Sequence, residues 1–123
     1  MNKNKKLSLA KLKKLADKAL SGYIRNKSAE QYGYTCCPLC NDNPIQCMFH
    51  FISRRKAILR WDEKNVIGAC HRCNFEERYF PDKSRVWYIR THGLDQYLKL
   101  VYMAEQSFAV TEKYLQSVIK RYS

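Results

Sequence analysis

Cys37-Pro-Leu-Cys40 and Cys70-His-Arg-Cys73 decide how this chain is organised. Each Cys-x-x-Cys pair points two thiolates at one ion, and four such ligands complete a closed tetrahedral zinc site. The 29 residues between Cys40 and Cys70 exceed the usual zinc-ribbon gap of about 15 to 20, so the zinc is expected to anchor an inserted functional hairpin. A closed four-thiolate site leaves no open position for substrate, which makes this zinc structural and assigns any reaction to other groups. Of the two remaining cysteines, Cys36 offers an alternative Cys-x-x-x-Cys spacing to Cys40, and Cys47 reads as a small, half-buried apolar residue. His71, between two ligands, reads as facing solvent or phosphate.

The chain of 123 residues suits one domain with a modest core, for which metal support is unsurprising. It carries 23 basic and 11 acidic residues, a formal charge of +12, and such an excess draws in polyanions, nucleic acid first among them. Residues 1–30 hold nine basic and two acidic residues. Their run of Lys3, Lys5, Lys6, Lys11, Lys13, Lys14 and Lys18 is also the pattern of a solvated helix face. With no stretch of about 18 apolar residues and no apolar segment behind the basic start, neither a membrane span nor a signal peptide is expected. The protein is expected in the cytoplasm, where paired cysteines read as metal ligands rather than disulfides.

Outward from the cysteines the chain becomes helical. Leu12, Leu15, Ala16, Ala19, Leu20 and Tyr23 recur at helical spacing behind Ser8, a candidate N-cap, and predict an amphipathic basic helix over 8–25. Residues 84–91 predict a short helix ended near Gly93. Leu94, Leu98, Val101 and Tyr102 form a further stripe, as do Tyr114, Leu115, Val118, Ile119 and Tyr122 behind Thr111. Three segments follow: a basic N-terminal helix over 1–31, a cysteine-bearing core over 32–80 and a helical extension over 81–123.

Inside the insertion the order is His50-Phe-Ile-Ser-Arg-Arg, then Leu59-Arg-Trp-Asp-Glu-Lys-Asn65, then Cys70-His-Arg-Cys73-Asn74. This series resembles the His-Asn-His (HNH) endonucleases with a ββα-metal core. It is most similar to the lambdoid phage NinG (Rap) recombination nucleases, whose stretch runs His-Tyr-x-Ser-Arg, Leu-Arg-Phe-Asp-x-x-Asn and Cys-x-x-Cys-Asn. A local likeness to phage endonuclease VII lies in Cys73-Asn74 followed by Glu77, where that family places a metal-binding asparagine and an acidic partner. The likeness covers residues 36–100. Both relatives act on branched DNA such as Holliday junctions, so the resemblance implies that substrate class. Many members carry an acidic residue or second histidine just before the catalytic histidine, where this chain has Phe49.

Phosphodiester hydrolysis needs a base to activate water and a cation to offset charge on the phosphorane and leaving oxygen. His50 suits the first task at neutral pH. Asn65 is expected to fix its ring by a hydrogen bond, and Asn74 with Glu77, or Asp62 in compensation for Phe49, supplies oxygen ligands for magnesium or manganese. On a helix starting near Cys70, Asn74 and Glu77 share a face. Each also has a plainer reading: His50 packed between Phe49 and Phe51, Asn65 in a turn, Asn74 as a cap, Glu77 on a solvated surface. Arg54, Arg55, Lys56, Arg60, Arg72 and Arg78 surround the candidate site and are expected to track phosphates. Trp61, Trp87 and Tyr88 are expected mostly in the core.

The expectation is thus a mainly helical α+β protein with a zinc-held ββα centre, acting as a magnesium- or manganese-dependent, structure-selective DNA endonuclease in phage-type recombination. The rival is a non-catalytic zinc-containing nucleic-acid-binding module. Paired cuts at a two-fold junction would call for a symmetric homodimer, with the C-terminal apolar stripes as its interface.

Overall fold

A computed structural model describes residues 7–31, 33 and 36–123. Helix α1 (Leu9–Gln31) is followed by strand β1 (Cys47–His50), short helix α2 (Ala57–Arg60), a 3-10 turn (Glu63–Asn65) and strand β2 (Val66–Ala69). Four helices complete the chain: α3 (His71–Glu76), α4 (Pro81–His92), α5 (Leu94–Ala104) and α6 (Glu112–Tyr122). The protein is therefore mainly helical around one two-stranded antiparallel sheet, as expected of the fold class. No helix among the described residues is long and apolar enough to cross a membrane.

Ser8 caps α1, its Oγ accepting from Lys11 N at 3.1 Å. The helix runs beyond the predicted end at residue 25 because Ile24 and Ser28 continue the buried stripe of Leu12, Ala16 and Leu20. That stripe packs against Leu115, Val118 and Tyr122 of α6, with Trp61 and Val66 between them, so the two ends of the described chain close one core. Lys11, Lys14 and Lys18 lie on the exposed side of α1; Lys3, Lys5 and Lys6 fall outside the described residues.

The strands pair in the register Cys47↔Ala69, Met48↔Gly68, Phe49↔Ile67 and His50↔Val66. Gly68 has a steric reason. A Cβ there would stand 2.6 Å from Ile45 Cγ2, so a side chain would have to push the Ile45 side chain aside. Behind the hairpin, Leu59, Tyr88 and Leu100 form a second core, joined by Phe51, Ile58, Tyr97 and Met103.

Helix α4 starts earlier than predicted because Pro81 sits at its N-terminus, where a missing N–H costs nothing. It ends where expected: Gly93 adopts φ 93° and donates to Ile89 O at 2.8 Å. In α5 the predicted period holds, and most of the predicted stripe lies on the outside. Leu94, Leu98 and Tyr102 are 54%, 51% and 66% exposed, while Leu100 is fully buried. The helix carries apolar residues on both sides, and the one bearing Tyr97, Leu100 and Met103 meets Leu59 and Tyr88. Thr111 caps α6 through Tyr114 N, as its position in the sequence suggests.

Candidate functional site

The four sulphurs of Cys37, Cys40, Cys70 and Cys73 lie within 4.8 Å of one another. Cys40 Sγ and Cys70 Sγ are 3.8 Å apart, which matches the edge of a tetrahedron built on Zn–S bonds of about 2.3 Å. The first pair is held in a turn by Asn41 N donating to Cys37 O and Cys37 N donating to Asn43 O, both at 2.8 Å, with Asn41 at φ 59°. The second pair opens α3, where Cys70 Sγ caps the helix by accepting from Cys73 N at 3.4 Å. Asp42 N, Asn43 Nδ2 and Lys83 Nζ add donors to Cys40, Cys70 and Cys73 at 3.5, 3.6 and 3.8 Å.

These donors polarise the cluster. Burial pushes the Cys40 thiol up, but hydrogen bonds from the Asn43 and Asp42 backbones and from neighbouring cysteines outweigh it and hold the group at about 6. Cys73 is driven the other way, to about 12, by burial and by the thiols beside it. Protons must leave such a cluster before it can act as four thiolates, so cation binding and proton release are coupled. The cluster can thus hold a metal ion such as zinc. Cys36 stands outside it, bridged to Pro44. Cys47 points its Sγ at Ala69 O, 3.5 Å away.

His50 lies at the end of β1 and is half-buried. Its Nε2 is 2.9 Å from the Arg60 carbonyl oxygen. A carbonyl can only accept, so Nε2 carries the proton and Nδ1 is left with its lone pair. Burial lowers the pKa of the ring, more than the Arg60 carbonyl raises it, and Arg54 and Arg60 act in the same lowering direction. The ring is therefore neutral near pH 7. His50 and Asn74 line one cleft of about 470 Å³ between α1, the hairpin and α3, together with Asp17, Ser53 and Arg54.

Asn65 is fully buried and does not fix the His50 ring, contrary to the sequence expectation. Its Oδ1 accepts from Ile52 N at 2.8 Å, and its Nδ2 donates to Ile52 O at 2.9 Å and Leu59 O at 3.1 Å. The amide pins the loop that ends in Arg60 and so acts on His50 through that carbonyl. In a closed loop the backbone groups that water cannot reach need a side chain to satisfy them, and Asn65 fills that role.

Asp62 and Glu77 stand away from the cleft. Asp62 caps the 3-10 turn by accepting from Lys64 N at 2.9 Å. Glu77 keeps helical backbone angles as the C-cap of α3, but its carboxylate accepts from the Ser84 hydroxyl at 2.7 Å in a separate cavity beside Phe51 and Tyr97. Burial raises its pKa, against the pull of Ser84 and Arg85.

The residue that sequence reading passed over is Asp17. Its carboxylate accepts from Trp61 Nε1 at 2.8 Å, from Arg60 Nη2 at 2.7 Å and from Arg54 Nη2 at 3.1 Å. It thereby ties α1 to the hairpin and sets Arg54 at the cleft. Its signal was faint: an isolated acid in a lysine run, one position from the core residue Ala16. Among the other candidate phosphate-binding residues, Arg72 lies 3.8 Å from Glu76, Arg78 stacks over Phe75, and Arg55 and Lys56 are exposed. Trp61 and Tyr88 are buried as expected, and Trp87 stacks on Phe51.

Comparison with family models, curated proteins and solved structures finds no match to this chain.

Proposed function

We propose that this protein is a metal-dependent, structure-selective DNA endonuclease of the HNH type, with β1, β2 and α3 as its ββα-metal core and zinc in the cysteine cluster. The observation that carries this reading is the cleft shared by His50 and Asn74, in which His50 is neutral and its Nδ1 is unencumbered. In the reaction, Nδ1 takes a proton from the attacking water, the water oxygen bonds to phosphorus, and the bond to the leaving oxygen breaks as that oxygen takes a proton from solvent water. Arg54 meets the phosphate, and Arg60 carries the carbonyl that orients the base. Asn65 is a positioning residue in this scheme.

Asn74 is the only one of the three expected hard-metal ligands at the cleft, since Asp62 and Glu77 are committed elsewhere. Magnesium or manganese would have Asn74 as its side-chain ligand and rely on the substrate phosphate and water for the rest, without the one or two carboxylates that usually hold such an ion at phosphate sites. When bound it offsets charge on the phosphorane. The excess charge of +12 supports a DNA partner. For paired cuts in a branched substrate, the exposed Leu94, Leu98 and Tyr102 face of α5 is one surface that would join two copies.

One observation favours the rival, a DNA-binding module without catalysis. Phe49, in the position where many HNH enzymes carry a metal ligand, is 1% exposed and packed against the cysteine cluster. The deciding experiment incubates purified protein with labelled duplex, single-stranded and four-way DNA, with and without magnesium. Magnesium-dependent cutting of the four-way DNA that disappears in His50→Ala, at unchanged DNA affinity, supports the enzyme. Binding without cutting by the wild type leaves the module.

A further inference from the structure

Phe75, Tyr79 and Phe80 are 57%, 61% and 64% exposed, and they fall together on α3 and the turn that joins it to α4. Single exposed apolar side chains are ordinary on a protein surface, but three aromatic rings in one short stretch, each more than half in solvent, form a patch. None of the three belongs to the buried clusters of the fold, so core packing gives no reason for their size.

Local backbone bonds hold the patch together. Tyr79 N and Phe80 N both donate to Glu76 O at 2.9 Å, which tightens the chain at the end of α3, and Pro81 opens α4 directly afterwards. The rings of Phe75 and Tyr79 meet at 5.8 Å between centroids, tilted by 51°. The Arg78 guanidinium lies over Phe75 at 5.1 Å.

Charge does not oppose a nucleic acid here. Three carboxylates share the stretch, and each has a partner: Glu76 lies 3.8 Å from Arg72, Glu77 takes the Ser84 hydroxyl, and Asp82 takes Arg85. Arg78 is exposed and adds its charge to the aromatic surface. The patch also begins at the residue after Asn74, which lines the His50 cleft. Consecutive Cα atoms are about 3.8 Å apart, so a strand whose phosphate sits at Asn74 has its neighbouring bases within reach of Phe75.

Ring chemistry decides what such a surface takes. Every base has a π-face, and stacking on an aromatic side chain tolerates any sequence. Bases in an intact duplex are already stacked on one another, so only unpaired ones are available. Protein interfaces also favour aromatic residues and arginine; the place of this patch beside the cleft, in a chain with a formal charge of +12, favours DNA.

We infer that Phe75, Tyr79 and Phe80, with Arg78, stack unpaired DNA bases next to the strand held in the His50 cleft, and so favour branched or gapped DNA over intact duplex. The position of the strand rests on the proposed nuclease reading. The test measures, by fluorescence anisotropy with the zinc-loaded full chain, affinity for a labelled duplex with a short single-stranded gap and for the same duplex fully paired. Wild type should favour the gapped DNA. Phe75→Leu and Tyr79→Leu keep apolar bulk at exposed positions but remove the π-face, and each should lower that preference by about fivefold or more, the worth of one stacked base. Phe75→Trp should retain it. Zinc content checks that each variant is folded. Equal wild-type affinity for the two DNAs would overturn the proposal, as would a preference that both leucine variants leave intact. Cutting assayed on the same DNAs separates the two readings. Preference for gapped DNA with no magnesium-dependent cutting defeats the nuclease and keeps the stacking surface, whereas cutting without preference defeats the stacking surface alone.

Discussion

The Nε2 of His50 and the carbonyl oxygen of Arg60 lie 2.9 Å apart, and this one bond sets the chemistry of the cleft. It joins the end of β1 to the end of α2 across the hairpin loop. It also selects the tautomer whose Nδ1 lone pair is available to take a proton. Asp17 clamps the Arg60 guanidinium at 2.7 Å, and Asn65 pins the neighbouring Leu59 carbonyl at 3.1 Å. The His50 ring is therefore oriented by a backbone atom that two buried or half-buried side chains hold still.

Burial lowers the His50 pKa below its ordinary value of 6.5, so the neutral, base-competent ring persists at neutral pH. Cleavage should hold at pH 7 and fall only as the pH drops below 6.5. A depressed histidine also contributes stability that is present above 6.5 and is lost as pH falls through the folded value, because the unfolded chain then binds the extra proton. His50→Gln should remove the acid limb of the cleavage profile along with at least about a hundredfold of rate. Zinc content measured at each pH separates this limb from acid release of the metal. An acid limb centred well above 6.5 would show that another group is titrating.

Asn65→Ala should cost about 2–4 kcal/mol, because three hydrogen bonds go and the Ile52 and Leu59 backbone groups are left buried without partners. Urea denaturation measures this directly. Nitrogen NMR of the His50 ring adds a readout that a purely structural role would not move: loss of the single Nε2–H tautomer. A variant as stable as wild type, with its ring unchanged, would remove Asn65 from the positioning role.

Replacing Cys40 or Cys73 with serine should release the metal and unfold the centre, since thiolate binding to zinc can contribute on the order of 10 kcal/mol to the folding of a small domain. Cys36→Ser and Cys47→Ser should keep the full metal content, because neither sulphur belongs to the cluster. Elemental analysis and circular dichroism suffice. Well-folded protein containing no zinc would defeat the assignment.

Lys11, Lys14 and Lys18 are exposed on α1, whereas Leu12 and Ala16 between them are core residues. Truncating this segment would therefore destroy the fold along with the charge, and glutamine substitutions are the cleaner probe. If all three lysines meet phosphates, their replacement should flatten the slope of log affinity against log salt by up to about 2.7. An unchanged slope would assign these lysines to a solvated face and leave DNA contact to the arginines of the hairpin.

The cysteine cluster was legible in the sequence because a local turn or helix start can bring together two thiols separated by two residues. The helical period of α1 and α6, the Ser8 and Thr111 caps and the Gly93 break were legible for the same local reason. What required the tertiary structure was direction. Both sides of α5 carry apolar residues, and only contact with Leu59 and Tyr88 decided that Leu100 faces inward while Leu98 faces out. Asn74 and Glu77 have the spacing of one helix face, but Ser84, seven residues further on in α4, draws the carboxylate aside. Asn65 and Asp17 act on residues distant in sequence, through a loop closure and a helix docking that spacing cannot reveal. Short-range geometry is written into the order of residues, whereas the partners of a buried amide or carboxylate are chosen by the packing that brings them together.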